Sequence, residues 1–235
     1  MDTWIKFVLL LIAAYLLGSV PLSYLTARAR GVDMRKQGTQ QVGAGNLWRT
    51  TSRKLGLFVG IYDFLKGMLM VFIASVVGLD PSLQLAVGIA VIIGHNWPVF
   101  LRFHGGRGVA TMLGTIIILP VINSPEITNW PLVSFFGIAV AVLIIFRRTP
   151  VPILIGLVSL PIVSAAVGEP LTLTMSYLAL VLIIIIKRLT AQPNTEALKT
   201  GIVRVLLNRL LFDRDIKDRS AWVHRKHVPD EEVTT

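Results

Sequence analysis

The sequence predicts an all-α fold, a polytopic membrane bundle of about seven transmembrane helices. Of the 235 residues, 54% are hydrophobic and the mean hydropathy is +0.70, which is typical of membrane proteins. Helices are expected throughout, because lipid offers no hydrogen-bond partner to an open sheet edge. Seven apolar runs are candidate spans, and they cover residues 4–26, 55–77, 83–101, 108–122, 132–146, 151–167 and 171–186. The fourth run is among the shortest and could instead be re-entrant.

The distribution of charge predicts the orientation of this bundle. Basic residues occupy alternate loops, including Arg35, Arg107, Arg147 and Arg148, and they follow the last run at Lys187 and Arg188. The intervening loops contain Asp80, Glu126 and Glu169 and neither Lys nor Arg. Under the positive-inside rule, the N-terminus is outside and the C-terminus is cytoplasmic. This arrangement needs an odd number of spans, which agrees with seven.

Composition excludes several classes of chemistry. The chain has no cysteine, so disulfides, thiolate nucleophiles and Cys-ligated metals are excluded. The four His residues lack metal-ligand spacing and no P-loop is present, so we predict no metal and no cofactor. The net charge of +10 is spread over separate loops, which favours anionic lipids and substrates over nucleic acid as partners.

The chain divides into a membrane domain, residues 1–190, and a basic cytoplasmic tail, residues 191–235. Apolar residues recur at helical spacing in this tail, at Leu198, Ile202, Val203, Leu206, Leu207, Leu210 and Leu211. The pattern predicts an amphipathic helix. Such a helix could lie on the lipid headgroups or pack against the loops of its own protein.

Residues 94–111 are the most informative stretch of the sequence. An apolar helix ends at His95 and Pro98, a glycine-rich turn containing Arg107 follows, and a new apolar helix begins at Val109. Such a turn presents backbone N–H groups, a cation and a helix N-terminus to an anion, typically a phosphate. Arg107 could also be an ordinary cytoplasmic charge. His95 could act as a base or substrate ligand, or it could bond loop carbonyls.

Two further segments carry candidate site residues. The first cytoplasmic loop follows a helix break at residues 18–21 and contains a glycine-rich stretch, residues 43–46, that could form an anion-binding nest or a flexible loop. Asp33 and Arg35 could pair within this loop. In the second span, Asp63 and Lys66 share one helix face and are candidates for a functional or a structural ion pair.

Together these motifs resemble the bacterial acyl-phosphate-dependent glycerol-3-phosphate acyltransferases, which are small seven-span enzymes with their functional loops on the cytoplasmic side. The resemblance covers about residues 15–115 and, more loosely, the remaining spans. The family pattern is matched at residues 18–21, at Asp33, Arg35, Gly38, Gly43, Ala44 and Asn46, at Asp63, Lys66 and Gly67, and at residues 94–100 and 105–111.

The chain departs from the family pattern at several positions, so it resembles a divergent member. Arg107 replaces Lys and Thr39 replaces Ser, while Gln40 and Gln41 replace Gly-Asn and Gly45 replaces Thr. The family's last span ends in a His/Arg-rich segment with an Asn. Here residues 187–193 contain neither His nor Asn, although Asn194 follows them.

The resemblance implies transfer of a fatty acyl group from acyl-phosphate to glycerol 3-phosphate, at the cytoplasmic face of a bacterial plasma membrane. It implies catalytic roles for His95, Thr39 and Arg107. The expected substrate and phosphate ligands are Ser19, Arg35, Gly38, Gly43, Asn46, Lys66, Gly105, Gly106, Gly108 and Thr111. Asp33 and Asp63 are the expected charge partners.

Two other classes of function stay open. The departures are compatible with a non-catalytic or retargeted relative that binds anionic lipid or acyl-phosphate. The charged pair in the second span is compatible with a small anion transporter. The enzymatic interpretation requires the turns around Gly43 and Gly106 to converge on one pocket.

Overall fold

The computed structural model describes residues 2–146, 150–190 and 201–223, and within these ranges the chain is helical with no strand. The α-helices are α1 Thr3–Ser19, α2 Leu22–Arg28, α3 Ala44–Thr50, α4 Arg53–Val76, α5 Pro81–Asn96, α6 Val109–Ile122, α7 Trp130–Phe146, α8 Pro150–Ala166, α9 Leu171–Thr190, α10 Ile202–Phe212 and α11 Arg219–Val223. A short 3-10 helix covers Val99–Leu101. The all-α prediction is confirmed for the described residues.

Each predicted apolar run contains a helix, but the helices differ in length. Four helical stretches are long and apolar enough to cross a bilayer, namely Thr3–Arg28, Arg53–Val76, Pro81–Leu101 and Leu171–Thr190. The helices α6, α7 and α8 are also apolar but have only 14, 17 and 17 residues. Seven spans, and the orientation of the termini, therefore stay predictions.

Local sequence explains the interruptions on the side of the bundle where α1 and α5 end. Helix α1 stops at Ser19, and α2 begins at Leu22 after Pro21, which has no N–H to continue the helix. This is the predicted break in the first run. Helix α5 likewise ends at Asn96, just before Trp97 and Pro98, because a proline disfavours helical geometry in the residue before it.

Glycines bring the site-bearing helices into close contact. Gly67 on α4 and Gly114 on α6 each lie against a backbone carbonyl of the other helix, so a Cβ at either position would overlap it. Gly18 on α1 and Gly94 on α5 make the same kind of contact. Small residues are common in membrane helices because they allow such approach. The ends of α1, α4, α5 and α6 are therefore fixed relative to one another.

Helix α10 covers Ile202–Phe212, within the part of the tail where the amphipathic helix is predicted. It packs against α8 and α9 and buries Val205 and Arg209, while Ile202, Val203 and Leu207 are exposed. It thus contacts its own protein and also keeps an apolar outer face. Leu198, Arg147, Arg148, Asn194 and the end of the tail lie outside the described residues, and the domain boundary at residue 190 stays a prediction.

Candidate active site

A cavity of about 800 Å³ opens at the end of the bundle where α5 stops and α6 begins. The first loop and α3 contribute Thr39, Gln41, Gly43, Asn46 and Arg49 to its lining. The opposite wall contains Asp63, His95, Arg107 and Gly108, together with residues from the segment after α10. The structure therefore brings the turns around Gly43 and Gly106 together, as the enzymatic interpretation requires.

A buried cluster of three charged or titratable side chains adjoins this cavity. Lys66 Nζ lies 2.8 Å from Asp63 Oδ1 and 3.0 Å from His95 Nδ1, and His95 Nδ1 is 3.4 Å from Asp63 Oδ1. Lys66 also donates to the Gly18 carbonyl at 3.3 Å. Asp63 and Lys66 are 4% and 2% exposed, so each charge depends on its partner. The predicted ion pair on α4 is therefore present, and His95 contacts both of its members.

The contacts of His95 indicate which ring nitrogen carries its proton. A lysine ammonium can only donate hydrogen bonds, so the 3.0 Å contact with Lys66 favours Nδ1 as an acceptor over a donor to Asp63 at 3.4 Å. In a neutral imidazole the proton is then on Nε2. The Nε2–H group faces the glycine turn, and His95 lines both the large cavity and a small one beside it.

The glycine-rich turn folds directly over this histidine. The Gly106 N–H donates to the His95 carbonyl at 3.0 Å, and a Cβ at position 106 would overlap Nε2. Gly108 has a left-handed φ of 69° and precedes the first residue of α6, Val109, as predicted. Gly108, Val109 and Ala110 line the cavity, so the N-terminus of α6 lies at its wall. The helix dipole favours an anion at this position.

Asn46 organises the first loop from within. Its Oδ1 accepts from the Thr39 N–H at 2.9 Å, and its Nδ2 donates to the carbonyls of Met34, Gln37 and Gln41 at 2.9, 3.1 and 3.0 Å. Asn46 is 3% exposed. The loop is therefore held in one shape around a buried amide, and Asn46 supports Thr39 beside the cavity.

The Asp33–Arg35 pair forms, but it lies away from both cavities. Arg35 donates to the two Asp33 oxygens at 3.2 and 3.1 Å and lies 4.9 Å from the Tyr24 ring centre. Hydrogen bonding from Arg35 lowers the pKa of the Asp33 carboxyl below its usual value. Neither residue lines either of the two cavities, so a phosphate-binding role for Arg35 stays a prediction.

The remaining predicted residues surround the cavity at different depths. Ser19, Gly105 and Gly106 line the smaller cavity, which shares Asp63 and His95 with the larger one. The Ser19 hydroxyl donates to the Tyr15 carbonyl at 2.8 Å. Gly38 lies in the first loop with a φ of 61°, and Thr111 is fully buried on α6. Lys66 lines neither cavity and contacts them through His95 and Asp63.

Two buried cations at the end of α9 were predicted only as topology signals. Lys187 donates to the Asn96 carbonyl at 2.5 Å and lies 5.1 Å from the Trp97 ring centre. Arg188 donates to the carbonyls of Pro150 and Leu210, both at 2.9 Å. They are 5% and 4% exposed, which is unusual for charges at a loop boundary. Their position at the end of the last apolar run was the only sequence signal.

The end of α10 and the segment after it also line the cavity, which the sequence analysis did not predict. Phe212, Asp213 and Trp222 line it, and Asp213 forms an ion pair with Arg107. Across the described ranges, no three His, Asp or Glu side chains lie close enough to hold a metal ion. The fold and cavity thus define a helical membrane protein with a glycine-lined, cation-bearing cavity at one end of its bundle.

Comparison with known proteins identifies the family. A sequence model of the glycerol-3-phosphate acyltransferases matches residues 8–201, and the chain belongs to this family. Glycerol-3-phosphate acyltransferase 5 of Dehalococcoides mccartyi is 36% identical over 233 residues, which cover 96% of each chain. The glycerol-3-phosphate acyltransferase of Thermus thermophilus is 35% identical over 200 residues, covering 85% of this chain and 95% of that one.

Solved structures give the same result. The chain is similar to PlsY (YgiH), an integral membrane glycerol 3-phosphate acyltransferase solved in a glycerol 3-phosphate form, with a TM-score of 0.65 and 30% identity. The match covers 84% of this chain and 94% of that one. A lysophosphatidic acid form of the same protein gives a TM-score of 0.63 at 29% identity, with coverage of 84% and 93%. The predicted family and membrane class are confirmed.

Proposed function

We propose that this chain transfers a fatty acyl group from acyl-phosphate to the free hydroxyl of glycerol 3-phosphate, and releases lysophosphatidate and inorganic phosphate. Membership of the glycerol-3-phosphate acyltransferase family supports the acceptor. The similar PlsY structures were solved with glycerol 3-phosphate and with lysophosphatidic acid, which supports the same acceptor and product here. The acyl-phosphate donor rests on the resemblance of the motifs.

The observation that carries this proposal is the Asp63–Lys66–His95 cluster beneath the Gly106 turn. Around it lie the features that suit phosphate oxygens: the N-terminus of α6, the guanidinium of Arg107 and the hydroxyl of Thr39. Two substrates that both carry phosphate require several such groups on one face. Val109, Ala110 and Leu113 of α6 give the cavity an apolar wall, which suits an acyl chain.

The reaction needs no covalent enzyme intermediate, because acyl-phosphate is already activated. The acceptor hydroxyl oxygen bonds to the acyl carbonyl carbon, and the bond between that carbon and the phosphate oxygen breaks. The hydroxyl proton leaves with the phosphate, so the products are the ester and hydrogen phosphate. His95 donates from Nε2 to orient the reacting oxygens, while Lys66 and Asp63 fix its ring. Positioning and charge stabilisation supply the rate enhancement.

An assay of the purified protein in lipid vesicles tests the proposal. We expect phosphate release and lysophosphatidate formation with acyl-phosphate, and neither with acyl-CoA. We expect H95A to lower turnover by roughly 10²-fold or more, as loss of a positioned catalytic donor does. H104A is the matched control, because His104 is exposed and its ring bonds only the Arg102 carbonyl among its described contacts.

The outcomes separate the proposal from its alternatives. Equal turnover with acyl-CoA would overturn the choice of donor, and an unchanged rate in H95A would overturn the role of the cluster. Binding of acyl-phosphate without turnover would instead identify a non-catalytic relative. Phosphate flux into sealed vesicles, with no acyl transfer, would identify a transporter.

We also propose that the cavity faces the cytoplasm of a bacterial plasma membrane, with seven spans and the N-terminus outside. The alternation of basic and acidic loops supports this orientation. Because the chain has no cysteine, single cysteines can report it without background. An impermeant maleimide added to intact cells should label E126C and not R30C, and labelling of R30C would reverse the orientation.

A further inference from the structure

Hydrogen bonds fix α10, and the segment that follows it, to the end of α9. Arg188 on α9 donates to the Leu210 carbonyl at 2.9 Å, and Arg209 on α10 donates to the Leu189 carbonyl at 2.6 Å. Arg209 also pairs with Asp215 at 2.5 Å, and both side chains are buried. The segment is thus held in place by reciprocal contacts, and the cavity wall that it forms has a defined position.

Asp213 joins this wall to the glycine-rich turn. It ends α10 in a left-handed conformation with φ of 60°, which aspartate tolerates better than most residues, and its N–H donates to the Arg209 carbonyl at 3.0 Å. Arg107 Nη1 donates to the Asp213 carbonyl at 2.6 Å and forms an ion pair with its carboxylate. The Asp213 carboxylate also lies 3.9 Å from Arg188 Nε.

Arg107 has a particular need for such a partner. Glycines flank it at positions 105, 106 and 108, so the local backbone does little to restrict where its long side chain points. The side chain is nevertheless only 12% exposed, and it lies at the cavity wall. A contact to a fixed carboxylate and carbonyl removes that freedom before any substrate binds.

We propose that Asp213 is a positioning residue for Arg107, and that it orients the guanidinium toward a substrate phosphate in the cavity. The proposal rests on the proposed function and extends the active site into the C-terminal segment, which lies beyond residues 8–201 matched by the family model. A guanidinium has several N–H donors in a planar fork, so a contact at Nη1 is compatible with phosphate binding by the same group.

The same pair gives a physical reason for one departure from the family pattern. A lysine ammonium is a compact point charge, and a neighbouring carboxylate would compete with phosphate for it. An arginine can contact a carboxylate and a phosphate together. Arg107 and Asp213 therefore form a unit in which each residue type depends on the other.

A double-mutant cycle in the full-length protein tests this dependence. The natural chain, R107A, D213N and R107A/D213N are compared for kcat and KM with acyl-phosphate and glycerol 3-phosphate. R107A is expected to lose roughly 10²-fold in kcat/KM and D213N roughly tenfold. If Asp213 acts through Arg107, the double variant loses no more than R107A alone.

Two further measurements separate positioning from a structural role. D80N removes the same charge at a residue that lines neither cavity, and its amide oxygen keeps the cap on the Ser82 and Leu83 N–H groups, so it should retain full activity. Melting temperatures are recorded for every variant. If D213N has a lower melting temperature than D80N, D213E replaces D213N in the cycle, because glutamate keeps the charge and only shifts the position of the carboxylate.

The affinity for inorganic phosphate, measured by calorimetry on the same proteins, gives a readout independent of turnover. An inactive natural chain would overturn the proposed function, yet the cycle could still be evaluated from phosphate binding. Additive losses would overturn the positioning role, and so would unchanged activity in D213N. Tighter phosphate binding in D213N would also overturn it, because the carboxylate would then be a competitor. Absence of phosphate binding by the natural chain would overturn both proposals.

Discussion

Gly106 lies directly against the His95 imidazole. The Gly106 N–H donates to the His95 carbonyl at 3.0 Å, and the Val42 carbonyl would be 2.8 Å from a Cβ at position 106. The turn and the ring therefore fit only when residue 106 has no side chain. The first loop, through Val42, and the glycine-rich turn therefore meet at His95.

We expect G106A to lower kcat by at least about tenfold, because the added methyl must displace His95 or the turn, and overpacking of this kind costs roughly 1–3 kcal/mol. Turnover measures the loss of kcat, and the melting temperature measures the cost of overpacking. G137A is the control, since nothing lies within 4 Å of a Cβ at that position on α7. Full activity in G106A would contradict the geometry described for the turn.

Substitution of His95 by glutamine tests the state of its ring. A glutamine places an N–H donor near the position of Nε2 but cannot accept a proton as imidazole does. We therefore expect H95Q to retain roughly a tenth of natural turnover while H95A loses 10²-fold or more. Equal inactivity of H95Q and H95A would indicate that His95 acts as a base.

The buried Asp63–Lys66 pair makes a prediction about stability. K66M leaves the Asp63 carboxylate buried without its ammonium partner, which should cost about 3–5 kcal/mol of unfolding free energy. K66M/D63L removes both charges and should recover most of that loss, while both variants stay inactive. Chemical unfolding in detergent measures the difference, and a double variant no more stable than K66M would contradict the pairing.

Gln40 has a left-handed φ of 57°, at a position where the family pattern has glycine. This conformation costs a non-glycine residue about 1–2 kcal/mol. We expect Q40G to raise stability by about 1 kcal/mol, since part of the gain is offset by entropy of the unfolded chain. Q37G, at an exposed position in the same loop without positive φ, should be destabilising. A lower melting temperature for Q40G would contradict this.

The Arg107–Asp213 unit predicts a pattern of rescue. R107K should lose roughly tenfold in kcat/KM, because the ammonium pairs with Asp213 and cannot also form a fork to phosphate. R107K/D213N should regain part of this loss, since the lysine is then released toward the substrate. Steady-state kinetics measure kcat/KM for both variants. A lower kcat/KM in R107K/D213N than in R107K would argue against competition between carboxylate and phosphate.

The features predictable from sequence are those fixed by local rules. The break after Ser19 follows from Pro21, the start of α6 follows from the glycine-rich turn, and the Asp63–Lys66 pair follows from their spacing on α4. Each depends on residues only a few positions apart. Hydropathy likewise predicted a helix in every apolar run.

The features that the sequence did not predict depend on contacts between residues that are far apart in the chain. Arg107 and Asp213 are 106 positions apart, and no local pattern links them. The apolar spacing of α10 suits a lipid surface and a protein surface equally well. Asn46 lines the cavity and stays a predicted phosphate ligand, and the three carbonyls that its amide contacts give it a further role in its own loop that no local pattern indicated.

The reciprocal contacts of Arg188 with Leu210 and of Arg209 with Leu189 constrain how such a chain can evolve. Recombination that exchanged only the segment after α9 between relatives could remove the side chains of Arg209 and Asp213 while keeping Arg107. A functional hybrid must inherit the end of α9, the glycine turn and this segment from one parent.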